Sequence, residues 1–474
     1  MVRISFSDGI ELQTICDDIC ARLRAGKDIL SIIDRIRSKV SRIRRKANGY
    51  WQIPPGREVF LKALDAYAAA LEFGASESLI LGIYREFTEV AYKVEARCKV
   101  TFLMQEESVW PSTQSIYEAM RADERFETHL VYVPFTHKNE TQQDRNLEIY
   151  RSMGLPIANY TEYDLSKDNP DIVFFAKPYA AVPQPFYIRE VEKIVEHTVY
   201  IPYGMETNYR LIRYGFQEYL HYRAWRHIVH GPTVKAVGRK YGYRNGENIV
   251  VWGHPRADNY LPEKHYAIPD EWIKKIRGRK VLCWCPHHTI VPGPECVSTW
   301  LQFFKVVFAA MERHPDIVLL WRPHPLLFGA IVNNGYMTQA ELDTLITEKT
   351  TEDNIILDRS SDYRTSFAIS DAMITDGTTF SVEYLYTGKP LMLTTEDINQ
   401  FYDAALMEKA LYIGRIPQDI ERFIDGISKE EDPKREERKN YIRQTMFVPD
   451  KGTVGEYIAE HVINDLIREK KNGE

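Results

Sequence analysis

A chain of 474 residues exceeds the size of one ordinary domain, so we expect two or three domains, each with its own core. Hydrophobic residues make up 44% and charged residues 27%, which is typical of a globular protein in water and argues against a chain that lacks a core. The net charge of −6 gives no overall attraction to nucleic acid, so we expect no nucleic-acid partner.

The sequence favours a cytoplasmic protein. Its start, "MVRISFSDGIELQ", lacks the layout of a signal peptide, and no apolar run approaches the roughly 18 residues that span a bilayer. The protein is therefore expected to be free in the cytoplasm or peripheral on the inner face of the plasma membrane. The six cysteines show no metal-finger spacing, which predicts buried free thiols.

Residues 1–97 are expected to form a helical module, because apolar residues recur there at spacings of three and four. Within it, "RIRSKVSRIRRK" (35–46) carries seven Lys or Arg in twelve residues, with apolar side chains on one stripe. Two interpretations stay open: a helix that lies on anionic lipid, or a solvated helix whose stripe packs on its neighbours.

Strands and helices alternate from Lys99 onward, which predicts a first α/β domain over 98–262. The expected strands are "KVTFLMQ", "FETHLVYVP", "DIVFFAKP", "TVYIPYG", "WRHIVHG" and "NIVVWG". A polar, proline-bearing stretch after them, "HPRADNYLPEKHYAIPDEW", marks a hinge.

A second series predicts another α/β domain over 263–474, with strands "KVLCWCP", "DIVLLWRPHP", "NIILD", "AMITD" and "PLMLTT", and helices to the end. Alternating elements of this kind form parallel sheets with helices on both faces. Two such doubly wound halves should face each other across a cleft. Ligands bind outside the carboxyl ends of the strands in such sheets.

Polar clusters follow five of the predicted strands: "IPYGME", "GHPRAD", "PHHT", "RPHP" and "TDGTT". Turns require Pro and Gly but not His and Arg, so we interpret the five clusters together as one site. In "TDGTT", a helix that begins at Thr378 or Thr379 would present free N–H groups to an anion. Gly377 would let a phosphate approach the backbone, whereas the alternative is an ordinary capped turn without a ligand.

In this order, the motifs resemble those of the CDP-glycerol glycerophosphotransferase family, which includes teichoic acid primases and polymerases. The matching stretches are "GHPRADNY", "CWCPHHT", "LLWRPHP" and "SDAMITDGTTFSVEYLYTGKPLM". The resemblance covers residues 99 to 465 and is strongest from 250 to 395. It implies a GT-B fold in which the C-terminal half holds the nucleotide and the N-terminal half holds the acceptor.

The resemblance also implies a reaction: transfer of glycerol phosphate, or a related polyol phosphate, from a CDP-alditol to a polymer or lipid-linked acceptor in wall or capsule synthesis. The acceptor hydroxyl attacks the β-phosphorus and CMP leaves. The alternatives are a GT-B glycosyltransferase that uses a nucleotide sugar, and a binding module without activity. We expect no cofactor and no metal site, because helix termini and cationic side chains can neutralise a diphosphate. Whether the protein is an oligomer stays open.

The resemblance further suggests roles for individual residues. Candidates for binding the diphosphate are Arg322, His324, Thr378 and Thr379, with Asp376 and Gly377 in the same turn. His324 would also stabilise or protonate the leaving phosphate. Arg256 is expected on the floor of the cleft, oriented by Asp258.

The catalytic base stays open. "IPYG" places Tyr203, followed by Gly204, where the family has a histidine, and tyrosine titrates too high to be a good base at neutral pH. The base is therefore uncertain among His254, His287, His288 and Tyr203.

Overall fold

The computed structural model describes residues 97–474, apart from 138–139, 206, 294–295 and 473–474, and a few isolated earlier positions. The predicted helical module and its basic helix at 35–46 therefore lie outside the described residues. Among the helices that are described, none is both long and apolar enough to cross a membrane.

Within residues 97–474, the first sheet has seven parallel strands in the order β3-β2-β1-β4-β5-β6-β7. The strands are β1 (Cys98–Met104), β2 (Phe126–Tyr132), β3 (Ile157–Asn159), β4 (Ile172–Phe175), β5 (His197–Tyr200), β6 (Arg226–Val229) and β7 (Ile249–Val251). The helices are α1 (Gln114–Ala122), α2 (Glu140–Ser152), α3 (Leu165–Asp168), α4 (Ile188–Val191), α5 (Ile212–Phe216), α6 (Tyr219–Arg223) and α7 (Pro232–Tyr241). Short 3₁₀ helices lie at Glu107–Ser112, Gln184–Phe186, Tyr209–Leu211, Tyr243–Gly246 and Pro255–Tyr260.

The second sheet has six parallel strands in the described chain, in the order β10-β9-β8-β11-β12-β13. They are β8 (Lys280–Cys285), β9 (Ile317–Trp321), β10 (Ile355–Leu357), β11 (Ala372–Thr375), β12 (Leu391–Thr394) and β13 (Tyr412–Gly414). The helices are α8 (Asp270–Ile276), α9 (Trp300–Arg313), α10 (Leu327–Asn333), α11 (Gln339–Thr351), α12 (Arg364–Ile369), α13 (Thr378–Leu385), α14 (Ala404–Ala410), α15 (Pro417–Ser428), α16 (Arg435–Thr445) and α17 (Val454–Asn472). A short 3₁₀ helix lies at Ile398–Gln400.

The central strands of both sheets are buried along almost their whole length. β9, with the sequence IVLLW, and β11, with AMIT, are buried at every position. Unbroken apolar runs of this kind suit parallel strands that carry helices on both faces. The prediction of two doubly wound α/β halves is confirmed, although the short strands β3 and β13 were missed.

The last helix returns to the first half. Val454, Ile458 and Val462 on α17 lie in the hydrophobic core of the first sheet. At Gly455, an added Cβ would lie 2.3 Å from the Ser115 carbonyl oxygen, so only glycine allows this approach to α1. The division of the chain at residues 262 and 263 remains a prediction, and we propose that α17 belongs structurally with the first half.

Candidate functional site

The strand order of the second sheet reverses between β8 and β11. At such a switch point the two following loops leave in opposite directions and open a crevice at the carboxyl edge of the sheet. The loop after β8 carries His287 and His288, and the loop after β11 carries Asp376 and Gly377. The fold therefore brings "PHHT" and "TDGTT" to one place, next to "RPHP" after β9.

Asp376 holds this place together. Its buried carboxylate accepts hydrogen bonds from the backbone N–H of His287 at 2.6 Å and of Thr299 at 2.7 Å, and from the Thr299 hydroxyl at 3.2 Å. Burial raises the pKa of Asp376 to about 6, and these hydrogen bonds act in the opposite direction. Both oxygens serve the loops, so Asp376 positions the loops after β8 and β11 relative to each other.

The turn after β11 leaves room for a ligand. Gly377 is the N-cap of α13, has φ −79°, and offers no side chain to cap the helix. A Cβ added there would have Thr375 Oγ1, at 3.4 Å, as its one described neighbour within 4 Å. The start of the helix at Thr378 is as predicted, but the Thr378 side chain lies outside the described atoms. The first N–H groups of a helix have no partner within the helix, so the start of α13 beside this glycine suits an anion.

Three imidazoles meet beside this turn. The ring centroids of His288 and His324 are 4.1 Å apart, and those of His287 lie 4.3 and 5.1 Å from them. Burial lowers the pKa of His287 to about 3 and that of His324 to about 4, and it also lowers the pKa of His288. All three rings are therefore neutral at pH 7 when the site holds no anion.

The same histidines could reach a divalent cation, which the sequence did not lead us to expect. One nitrogen from each ring lies within 4.8 Å of the others. Ligands on tetrahedral zinc are ~3.3 Å apart, as follows from metal–nitrogen bonds of about 2.0–2.1 Å, so the rings would have to rotate to close the site. In the present arrangement, Nδ1 of His287 lies 2.9 Å from the Thr289 hydroxyl, and Nδ1 of His324 accepts from the Leu326 N–H at 3.2 Å.

Arg322 does not point its charge into the crevice. Its Nη1 donates to the Asp358 carboxylate and, at 3.1 Å, to the Ser360 hydroxyl, and its Nη2 donates to the Ser360 carbonyl at 2.7 Å. These contacts hold the loops after β9 and β10, and the assignment of Arg322 to the diphosphate stays a prediction. His324, two residues later, is half-buried and does face the other imidazoles.

Arg256 also has a structural position. From the first half, its guanidinium bonds the Ser112 hydroxyl at 2.9 Å and the carbonyls of Ser108 and Tyr203 at 3.0 and 2.8 Å. From the second half, Nη1 donates to the Tyr363 hydroxyl and to Glu383 at 2.8 Å. These contacts join the two halves, and a contact of Arg256 with substrate on the cleft floor stays a prediction.

Glu383 is the acceptor at the centre of this junction, and sequence reasoning missed it. Its side chain is 0% exposed, and besides Arg256 it accepts from the hydroxyls of Tyr260 at 2.8 Å and Tyr363 at 2.7 Å. Glu383 lies on α13, the helix whose first turn faces the crevice. The network thus fixes that helix to the first half of the molecule.

His254 and Asp258 complete the structural contacts of "GHPRAD". His254 is 1% exposed, with Nε2 2.8 Å from the Pro202 carbonyl and Nδ1 accepting from the Arg256 N–H. Burial lowers its pKa to about 3, as it does for His287, but in His254 both ring nitrogens also have partners within the protein, which makes it the poorer candidate for the base. Asp258 accepts from the N–H groups of Val454 and Gly455 and caps α17. We had expected Asp258 to orient Arg256, but its carboxylate instead bonds the start of α17.

The first sheet has its own switch point, between β1 and β4. Glu106 follows β1 and Lys177 follows β4, and they form an ion pair of 2.7 Å across this point. The Lys177 ammonium lies 4.4 Å from the centre of the Tyr203 ring, whose hydroxyl is 2.9 Å from that of Tyr179. The sequence did not reveal this pair, because neither residue stands in a recognised motif.

Tyr203 and Gly204 bring the two switch points together. A Cβ added to Gly204 would lie 2.8 Å from the Thr379 hydroxyl on α13. The "IPYG" loop of the first half therefore touches the first turn of the helix that follows "TDGTT". Of the predicted site residues, the structure groups Gly377, Thr379, His287, His288 and His324 in the second half, with Tyr203 and Gly204 facing them.

Comparison with protein families agrees with this arrangement. A family model described as CDP-glycerol:poly(glycerophosphate) glycerophosphotransferase matches residues 221–464, which is 244 of the 474 residues. The match includes all the motifs of the second half and the "GHPRAD" segment. A search of curated proteins finds no match.

Solved structures show the same fold at low identity. A histidine-to-alanine variant of the wall teichoic acid polymerase TagF is 16% identical, with a TM-score of 0.50 over 86% of this chain and 98% of that one. The UDP-N-acetylglucosamine 2-epimerase of Methanocaldococcus jannaschii is 12% identical, with a TM-score of 0.51 over 77% and 99%. UDP-bound MnaA of S. aureus is 13% identical, with a TM-score of 0.50 over 78% and 96%. At these identities the likeness concerns the fold alone, and it matches the GT-B architecture that the sequence motifs implied.

Proposed function

The chain belongs to the CDP-glycerol:poly(glycerophosphate) glycerophosphotransferase family, and on that premise we propose how its own residues carry the transfer. The donor is CDP-glycerol, and the acceptor is a glycerol phosphate polymer or its lipid-linked primer. The acceptor hydroxyl oxygen forms a bond to the β-phosphorus, the bond from that phosphorus to the bridging oxygen breaks, and CMP leaves with the electron pair.

The observation that carries this proposal is the second switch point. α13 begins at Thr378 after a glycine N-cap, and the loop that carries His287 and His288 is tied to the preceding Asp376 by a hydrogen bond of 2.6 Å. The positive end of a helix and groups that can become cationic suit a diphosphate. We place the donor diphosphate there, with Thr379 as an added hydroxyl donor.

His324 is our candidate for the group that neutralises the departing phosphate. Its ring is neutral in the free protein because burial lowers its pKa to about 4. A nearby dianion favours the imidazolium and would raise that pKa. The bound donor thus recruits the proton that CMP needs as it leaves.

The acceptor hydroxyl must give up a proton on the opposite side. We rank His254 below His287 and His288 as the base, because it is buried and both of its ring nitrogens have partners. His287 and His288 remain candidates, and Tyr203 lines the approach from the first half. The ion pair of Glu106 and Lys177 at the first switch point orients that approach.

The proposal is tested by thermal unfolding in the presence of CDP-glycerol, CDP-ribitol, UDP-sugars and CMP-sugars. A ligand at about 100 times its dissociation constant stabilises the folded state by about 2.7 kcal/mol. We expect this stabilisation with a CDP-alditol and no comparable effect with the nucleotide sugars. Stabilisation by a nucleotide sugar alone would instead indicate a glycosyltransferase.

A further inference from the structure

The part of the first half that follows the "IPYG" loop in the sequence is unusually rich in exposed tyrosine. Between residues 209 and 243, five tyrosine residues are each more than a third exposed: Tyr209 at 40%, Tyr214 at 38%, Tyr222 at 42%, Tyr241 at 37% and Tyr243 at 51%. Scattered single apolar residues on a surface need no explanation, but a contiguous group indicates an interaction site.

These rings touch one another. The Tyr209 ring lies 5.9 Å from that of Tyr241, and the Tyr222 ring lies 5.6 Å from that of Tyr243, both edge to face. Tyr209 also contacts Tyr402 of the second half at 4.9 Å. Four of the five exposed rings thus pack in two pairs, and one of these pairs reaches the second half through Tyr402.

This part of the chain is strongly basic. Residues 209–247 contain eight Lys or Arg and two Glu, a net charge of +6 in a chain whose total is −6. Several of these cations pair with carboxylates, as Arg213 does with Glu218. Arg239, Lys240 and Arg244 are exposed and interleave with Tyr241 and Tyr243. We call the five exposed tyrosines and these three cations the tyrosine–basic surface.

This surface leads into the cleft. The exposed ring of Tyr214 lies 6.5 Å from that of Tyr179, which lies 6.3 Å from that of Tyr203. Tyr203 precedes Gly204, whose backbone meets Thr379 at the start of α13. A row of aromatic rings thus runs from solvent to the point where the two halves meet.

We propose that the tyrosine–basic surface is the docking track for a polyanionic polymer of polyol phosphates, which it feeds into the cleft as the acceptor. This inference rests on the proposed function. Arg239, Lys240 and Arg244 would pair with phosphates, and the tyrosine rings would lie against the polyol units between them. An anionic membrane also attracts tyrosine and cations, but a flat lipid surface gives no reason for rings to continue inward to Tyr203.

The test uses fluorescently labelled, deacylated poly(glycerol phosphate) of defined length and the full chain at low salt. The variant Arg239→Gln with Lys240→Gln and Arg244→Gln should bind the polymer at least about tenfold more weakly, because three cations that would pair with phosphates are lost. A matched control removes three exposed lysines elsewhere, by Lys274→Gln, Lys429→Gln and Lys451→Gln, and should bind within about twofold of the wild type.

CDP-glycerol affinity, measured by calorimetry on both variants, should equal that of the wild type. Tyr241→Ser with Tyr243→Ser should weaken polymer binding without removing the salt dependence. Equal polymer affinity in the Gln variant and the wild type would overturn the inference, as would a loss of binding to phosphatidylglycerol vesicles with polymer affinity unchanged. If the wild type turned over CDP-glycerol but did not bind the polymer, the docking track would be refuted and the proposed donor chemistry would be unaffected.

Discussion

Glu383→Ala should destabilise the protein more than any exposed carboxylate change. The side chain accepts from the Arg256 guanidinium at 2.8 Å and from the hydroxyls of Tyr260 and Tyr363 at 2.8 and 2.7 Å. Its removal leaves a buried guanidinium without its counter-charge. Breaking a buried ion pair from one side costs about 3–5 kcal/mol, and we expect a loss in that range.

The measurement is urea denaturation at pH 7, read as the shift of the midpoint at unchanged slope. Glu312→Ala is the matched control, because its carboxylate is 60% exposed and pairs with Lys349 at the surface. Exposed ion pairs contribute about 0–1 kcal/mol, so the urea midpoint of the control variant should hardly change. A loss of less than about 1 kcal/mol in Glu383→Ala would refute the structural role that we give to Arg256 and Glu383.

A double-mutant cycle separates the pair from its surroundings. Arg256→Met removes the other charge of the pair. The double variant should lose less stability than the two single variants added together, because it leaves no unpaired charge behind. It should still fall below the wild type, since Tyr260 and the Tyr203 carbonyl lose their partners. Strictly additive losses would show that the two side chains act independently.

Three further outcomes follow from the crevice. Gly377→Ala should leave stability unchanged or raise it by up to about 1 kcal/mol, since φ is −79° and the added methyl group meets only Thr375 Oγ1 at 3.4 Å among described atoms. The same change should weaken CDP-glycerol binding at least about tenfold in calorimetry. Unchanged affinity would show that the diphosphate binds elsewhere. The pKa of His324 is about 4 in the free protein and should rise beside the diphosphate, so donor affinity should increase as pH falls from 8 to 6. Calorimetry should show proton uptake on binding in the wild type and none in His324→Gln. A donor affinity independent of pH would contradict this. Tyr203→Phe should retain turnover within about tenfold, because a phenol is a poor general base at neutral pH and this hydroxyl lies 2.9 Å from that of Tyr179. A loss of several orders of magnitude with the fold intact would assign Tyr203 a catalytic role.

The strand ends were predictable because they carry a strong local pattern. Apolar runs such as "VLCWC", "IVLLW" and "AMIT" end abruptly at polar residues, and parallel strands collect those ends at one edge. The meeting of His287, His288 and His324 follows from that topology. The start of α13 at Thr378 follows from the turn residues before it.

The roles of the arginines could not be predicted, because they depend on partners far away in the chain. Arg256 meets Glu383, 127 positions later, and nothing in a local pattern distinguishes that glutamate from one on a solvated helix face. Arg322 stands in a motif that suggests phosphate binding, but Asp358, 36 positions later, takes its charge. An arginine is less available to a ligand when a buried carboxylate lies beside it in the folded chain. The sequence alone does not show which carboxylate the fold brings close to which arginine.

The most direct test of the whole account is product analysis. The full-length protein is incubated with CDP-glycerol and a deacylated poly(glycerol phosphate) primer, and CMP release is measured together with the length of the polymer. We expect one CMP for each glycerol phosphate added to the primer, and loss of both in His324→Ala. CMP release that needs no primer, or elongation from a nucleotide sugar and not from CDP-glycerol, would contradict the proposed transfer.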